Sequence, residues 1–312
     1  VIPAANQLGR HVDYGRLAER VAATTRKFVM LGLGAQSTLD GTLPDVPDGT
    51  IAWVRTVADR APAEGPNIAV RGPFSHAVLA AHGLGERAVV LGCPSLFVNP
   101  APRLGKLIAG RLRRPRRVAV AAGHESWRHL ARFEASLGRI VTETGGSYVG
   151  QSAIAMVRLT RGEAAQLPRD KLAECRDFVC PDMDLPAFVA WTVRHGNVFF
   201  DVNAWMEHYR HVDFVVGARI HGVMLALQMG VPALCVVHDS RTRELCETMG
   251  VPFVLARDHP DGLAIGDLAD VFAFDADAFD DNRRRLADAY DRFLRDNGIA
   301  PSPWLGEIAR GG

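Results

Sequence analysis

The chain has 312 residues, of which 48% are hydrophobic and 23% charged, and its 36 Lys+Arg against 35 Asp+Glu give a formal net charge of +1. This is a globular composition that excludes a disordered chain or a fibre, and its length calls for two domains rather than one core. A near-neutral total argues against a protein whose main work is gripping nucleic acid or an anionic membrane. Anionic small molecules stay open, because local charge can differ from the total.

The opening Val1-Ile-Pro-Ala-Ala carries no basic n-region, so no signal peptide is expected, and the missing Met predicts a start further upstream. Short apolar runs then alternate with amphipathic stretches. Strands are predicted at 28–34, 67–71, 88–92, 117–123, 147–150, 197–200, 213–217 and 233–237. Helical patterns fall at 75–82, 127–138, 241–249 and 280–297. Continuous apolar strands alternating with helices predict an α/β fold with mostly parallel sheets, covered on both faces. The segment 102–117, with its basic run Arg111-Leu-Arg-Arg-Pro-Arg-Arg117, reads as a solvated interdomain linker. Pro115 should break any helix there, and no aromatic residue interleaves the arginines as nucleic-acid binding would favour. The expected domains are therefore 1–113 and 114–312. The longest apolar stretch, 222–237, is interrupted by Gln228, Gly230 and Pro232 and is shorter than the about 20 residues of a membrane span. Five scattered cysteines form no disulfide framework, which suits a cytoplasmic protein.

The segment running from Asp213 to Pro232 carries the most chemistry. A strand ends at Gly217, a helix begins near His221, and Gly230 stands where a helix C′ glycine is expected. Arg219 and His221 thus sit at a strand's C-terminal edge and a helix N-terminus, where open α/β sheets bind ligands and unpaired N–H groups attract anions. Arg offers a planar fork for carboxylate or phosphate, and His can donate a hydrogen bond or pass a proton. The plainer alternative makes Arg219 a cap on a neighbouring carbonyl.

This segment resembles the polysaccharide pyruvyl transferase family, which carries an Arg-x-His turn before an apolar helix and a Gly-Val-Pro strand entry. Gly32-Leu-Gly-Ala-Gln36, Val70-Arg71-Gly-Pro-Phe-Ser75, Gly92-Cys-Pro-Ser-Leu-Phe-Val-Asn-Pro100 and His238-Asp-Ser-Arg-Thr-Arg-Glu-Leu245 resemble further family segments. The resemblance implies two Rossmann-like domains facing across a cleft, as in B-type glycosyltransferases. It also implies transfer of the carboxyvinyl group of phosphoenolpyruvate to two hydroxyls of a glycan or glycoside, giving a cyclic ketal. The C-terminal domain would be the donor side and the N-terminal domain the acceptor side. No metal or redox cofactor is implied, since acid–base and electrostatic catalysis suffice. Family members open on a strand and an Asn-x-Gly-Asp-like turn that Asn6-Gln-Leu-Gly9 does not reproduce, so the first domain is expected to lack its leading elements.

By the same resemblance, Arg219 and His221 would hold the donor, with His221 a candidate acid and Arg71 closing from across the cleft. Arg71 is equally well read as a surface turn residue. His124 follows a strand end and is a candidate base or phosphate contact; its alternative is a residue of a helix starting near Ser126. Gln151 and Ser152 could line the same cleft. His238, Asp239 and Arg241 are second choices, because Asp-Ser-Arg is also an ordinary N-cap. Asn6 is read either as an acceptor contact or as a turn residue. Gly32-x-Gly34-x-x-Ser37 is an incomplete dinucleotide fingerprint with no acid at the ribose spacing. The competing functions are a nucleotide-sugar glycosyltransferase of the same architecture and a non-catalytic glycan- or anion-binding protein. The sequence leaves a homo-oligomer open.

Overall fold

In the computed structural model, residues 1–151 and 154–311 are described. The elements run β1 (Ile2–Pro3), α1 (Gly15–Ala22), β2 (Met30–Leu33), α2 (Asp48–Asp59), β3 (Ile68–Val70), α3 (Pro73–Ala81) and β4 (Ala88–Val90). There follow α4 (Leu104–Gly110), β5 (Val118–Ala121), α5 (Ala131–Thr144), β6 (Ser147–Gly150), α6 (Ile154–Thr160), α7 (Arg169–Val179), α8 (Leu185–His195), β7 (Gly196–Val198), α9 (Val202–Tyr209) and β8 (Phe214–Gly217). The chain continues through α10 (Ile220–Gln228), β9 (Ala233–Val237), α11 (Ser240–Met249), β10 (Phe253–Leu255), α12 (Asp267–Asp270), α13 (Ala276–Asp296) and α14 (Pro303–Arg310).

The chain divides into two compact α/β units. Unit 1 comprises residues 1–103, 238–251 and 277–312; unit 2 comprises 104–237 and 252–276. This division differs from the single boundary expected near 113. α11 and nearly all of α13 and α14 return to unit 1, so the two units are nearly equal in length and the expected size imbalance disappears. The expected linker is also partly structured. α4 forms inside it with Leu104 and Ile108 fully buried. Pro115 is buried as well.

Unit 1 has a four-stranded parallel sheet in the order β1-β2-β3-β4. Its core joins Met30, Leu33, Ile68 and Val70 to Trp53, Val54 and Val57 of α2. α13 packs by a stripe of Phe279, Arg283, Leu286, Tyr290 and Phe293, the three-and-four spacing of a half-buried helix. Arg283 is fully buried on that stripe. It donates to the carbonyls of Leu96 (3.0 Å), Ala101 (2.6 Å) and Asn99, and burial pushes its guanidinium down to about 10.

Unit 2 has a six-stranded parallel sheet in the order β10-β9-β8-β5-β6-β7. From β5 the chain winds outward through β6 to β7. It then returns to β8 on the other side of β5 and winds outward to β10. The direction of winding reverses between β5 and β8, and crevices at such reversals are where doubly wound sheets bind ligands. Every residue of β5, β8 and β9 is buried, which explains their unbroken apolar runs. α10 is buried on all sides except at His221. It ends as the sequence predicts, with Gly230 at φ 69° just beyond. Among the described residues no helix is long and apolar enough to cross a membrane.

Candidate active site

The C-terminal edges of β5, β6 and β8 gather four of the expected residues in unit 2. Arg219 is the N-cap of α10 and makes no side-chain cap, so the first N–H groups of the helix are left to other acceptors. Its guanidinium carbon lies 4.8 Å from the centroid of the Trp127 ring. His124, in the loop after β5, lies on the same ring, with centroids 6.2 Å apart. Trp127 is therefore the shared neighbour of Arg219 and His124. His221 is exposed in the first turn of α10. Gln151 directly follows β6, and its buried Nε2 makes no hydrogen bond among the described residues. A Cβ built on Gly222 would stand 2.9 Å from that nitrogen and 2.8 Å from Ala121 Cβ, so glycine is what lets α10 sit this close. Ser152 lies outside the described residues.

His124 does not begin a helix near Ser126. A 3-10 turn occupies Arg128–Leu130 and α5 starts at Ala131. The imidazole instead holds the loop: its Nδ1 faces Ser126 N at 3.2 Å and Ser126 Oγ at 2.9 Å. Beside it Glu125, 3% exposed, pairs with Lys171 Nζ at 2.9 Å.

Beneath this loop lies an acid that sequence reasoning missed. Glu134 of α5 is 1% exposed. It accepts hydrogen bonds from Gly123 N (2.9 Å) and Tyr148 Oη (2.6 Å), both on Oε1. Burial raises its carboxyl above the usual carboxylate range, while Tyr148, Gly123 and the Arg219 charge pull the other way. A glutamate on the helix face shared with Phe133, Leu137 and Ile140 was the signal that could have found it.

The other expected residues belong to unit 1. Asn6 donates from Nδ2 to Gln36 Oε1 at 2.6 Å, joining the edges after β1 and β2. Arg71 follows β3 but is not a surface turn residue: it is 4% exposed, and its Nε donates to Gly32 O at 2.9 Å. Burial, with Arg241 nearby, depresses its guanidinium, and Cys93, Glu244 and Tyr290 oppose the shift. Asp239 is the N-cap of α11, accepting from Thr242 N (2.8 Å) and Thr242 Oγ1 (2.6 Å). Its Oδ2 is 3.3 Å from Arg241. Burial raises the Asp239 carboxyl, but Arg241, His238 and Thr242 outweigh it and hold it below its ordinary value. His238 is half-buried beside it.

One further unit 1 carboxylate escaped the sequence reading. Glu244 accepts from Ser75 N (2.7 Å) and Ser75 Oγ (2.5 Å), the first turn of α3. The helix that follows Arg71 thus has its positive end met by a carboxylate of the same unit. Gly72 permits this, because a Cβ there would overlap Glu244 Cγ. Among the described residues no three of His, Cys, Asp or Glu converge as a metal site.

The strand reversal of unit 2 thus brings together an arginine, two histidines and a helix N-terminus without a side-chain cap. The chain belongs to the polysaccharide pyruvyl transferase family, whose sequence profile matches residues 2–240. No curated protein matches the chain. Among solved structures it is similar to a UDP-N-acetylglucosamine 2-epimerase from Rickettsia bellii, at 11% identity and a TM-score of 0.42. That match covers 82% of this chain and 63% of the epimerase chain, a likeness too weak to bear on function.

Proposed function

We propose that the protein transfers the pyruvyl group of phosphoenolpyruvate to two hydroxyls of a glycan or glycoside, forming a cyclic ketal and releasing phosphate. The observation that carries this reading is Arg219, held on the Trp127 ring at the uncapped start of α10, at the strand reversal of unit 2. An anion there meets both a guanidinium fork and backbone N–H groups. A small donor bearing a carboxylate and a phosphate suits such a site.

The chemistry assigns the remaining roles. A proton must reach the donor's methylene carbon, which leaves positive charge at C2. His221, exposed at the helix start, is the proposed acid, and His124, whose Nδ1 accepts from Ser126 N–H so that Nε2 carries the proton, is the proposed contact to the donor's phosphate. One hydroxyl oxygen bonds to C2, the C2–O bond to phosphate breaks, and the second hydroxyl closes the ring. Of the two hydroxyl protons, one replaces that given to the methylene and the other leaves with phosphate. The sequence needs no redox step and no cofactor. Gln151 is the proposed hydrogen-bond donor to the bound substrate. Within unit 1, Arg71, Asp239 and Arg241 organise the strand edges that carry Asn6 and His238.

The test is incubation with phosphoenolpyruvate and a panel of sugars, following phosphate release and ketal formation. Turnover with at least one acceptor is expected, lost in Arg219→Ala and His221→Ala with the fold intact. Turnover retained by both variants would overturn the site, and absence of phosphate release with every acceptor would overturn the donor.

A further inference from the structure

Five arginines fall within residues 111–117 of a chain whose net charge is only +1. In the structure they form a shaped surface. Asp213, at the start of β8, binds the segment at three points. Its Oδ2 accepts the N–H groups of Arg116 and Arg117, each at 3.1 Å, and its Oδ1 accepts from Arg113 Nε at 2.9 Å. Pro115 is buried between them. One acid therefore neutralises one arginine and fixes the backbone, while Arg114, Arg116 and Arg117 remain exposed.

Two features extend the patch. Arg117 and His211 both act electrostatically on His208, which brings the end of α9 into the same positive region. Arg210 beside it pairs with Glu207. On the other flank, Arg111 donates to Met229 O at 3.3 Å, and Leu107, one helical turn earlier, lies against Gly230. Leu107 is 53% exposed and Leu112 is 45% exposed. Cations alternating with exposed leucines, on a backbone pinned from within, are what an anionic lipid surface selects. The charges meet the headgroups and the leucines enter the acyl boundary. The segment 103–117 holds no aromatic ring for base stacking, so nucleic acid is disfavoured.

We propose that residues 107–117, at the N-terminal edge of the unit 2 sheet, dock the protein peripherally on a membrane rich in anionic phospholipid. The patch adjoins the starts of β5, β8 and β9, whereas Arg219 and His221 lie at the opposite ends of the strands. Docking and anion binding in unit 2 therefore use separate surfaces. The neutral total charge conceals the patch, because the compensating acids lie elsewhere in the chain.

Co-sedimentation of the full chain with vesicles of phosphatidylglycerol and phosphatidylcholine, against phosphatidylcholine alone, tests this. Binding is expected only to the anionic vesicles, and it should be lost in about 0.5 M salt. Arg114→Gln and Arg116→Gln should each weaken partitioning about fivefold. Leu112→Ser should weaken it without changing the salt dependence. All three lie on the surface, and unchanged circular dichroism would show that each variant is folded. Equal binding by wild type and the arginine variants, or no binding to anionic vesicles, would overturn the proposal. Duplex DNA bound through the same arginines in the absence of vesicle binding would overturn the lipid assignment.

Discussion

Arg219 lies over the face of Trp127, with 4.8 Å between the guanidinium carbon and the ring centroid. The ring restricts a side chain that would otherwise sample many rotamers at the mouth of α10. Such a contact is worth about 0.5–2 kcal/mol depending on desolvation. Trp127→Leu should therefore raise the KM for phosphoenolpyruvate roughly threefold to thirtyfold and leave the unfolding midpoint nearly unchanged. Arg219→Lys should cost more, because an ammonium can neither fork onto a carboxylate nor stack as a plane. Steady-state kinetics at varied donor concentration checks both.

Glu134 makes a pH-dependent contribution to stability. Its folded carboxyl titrates above the ordinary 4.5 because of burial, so between those two values the folded state binds more protons than the unfolded one. Stability is then greatest below the ordinary value and falls as pH rises through the raised one. Glu134→Gln removes this slope. The midpoint of the variant minus that of wild type should rise as pH is raised above the ordinary carboxylate value in thermal melts. A difference independent of pH would contradict the assignment. Tyr148→Phe removes one donor to the carboxyl and should destabilise by roughly 1–3 kcal/mol.

Gly72 and Glu244 should be energetically coupled. Gly72→Ala forces a methyl group onto Glu244 Cγ and should cost roughly 1–3 kcal/mol. Glu244→Ala leaves the buried donors of Ser75 without their acceptor and should cost roughly 1.5–3 kcal/mol. The double variant should cost less than the sum, since removing the glutamate makes room for the methyl group. Denaturant melts of all four proteins supply the cycle, and strict additivity would refute the coupling.

The thiols should be inert in the folded protein. All five cysteines are buried, and burial pushes Cys175 and Cys180 up to about 12. A chromogenic disulfide reagent at about pH 8 should react with none of them until denaturant is added. Rapid labelling of the native protein would show that a buried site opens.

The elements that the sequence predicted well are those specified locally. β6 and β9 form at the expected residues, and α10 stops at its glycine as predicted. These signals lie within a dozen residues of one another. The unit boundaries were not legible in this way, because α13 packs on unit 1 through contacts such as Arg283 with Leu96, far apart in sequence. The same limit applies at the candidate site. Arg219, His221, His124 and Gln151 could be nominated because each follows a strand end. Glu134 and Glu244 could not, since their importance comes from the partners Gly123, Tyr148 and Ser75, which only the folded chain brings together. The expected helix start at Ser126 also failed: Trp127 there serves Arg219 instead, and α5 begins four residues after it.

The interleaving of the two units imposes an order on the nascent chain. Every segment of unit 2 has been synthesised by residue 276, while unit 1 still lacks residues 277–312. As the chain leaves the ribosome, the later unit in sequence can close first. The earlier one, begun at β1, must hold its carbonyls at Leu96, Asn99 and Ala101 open for Arg283 until α13 emerges. Unit 1 cannot close around Arg283 until α13 has emerged.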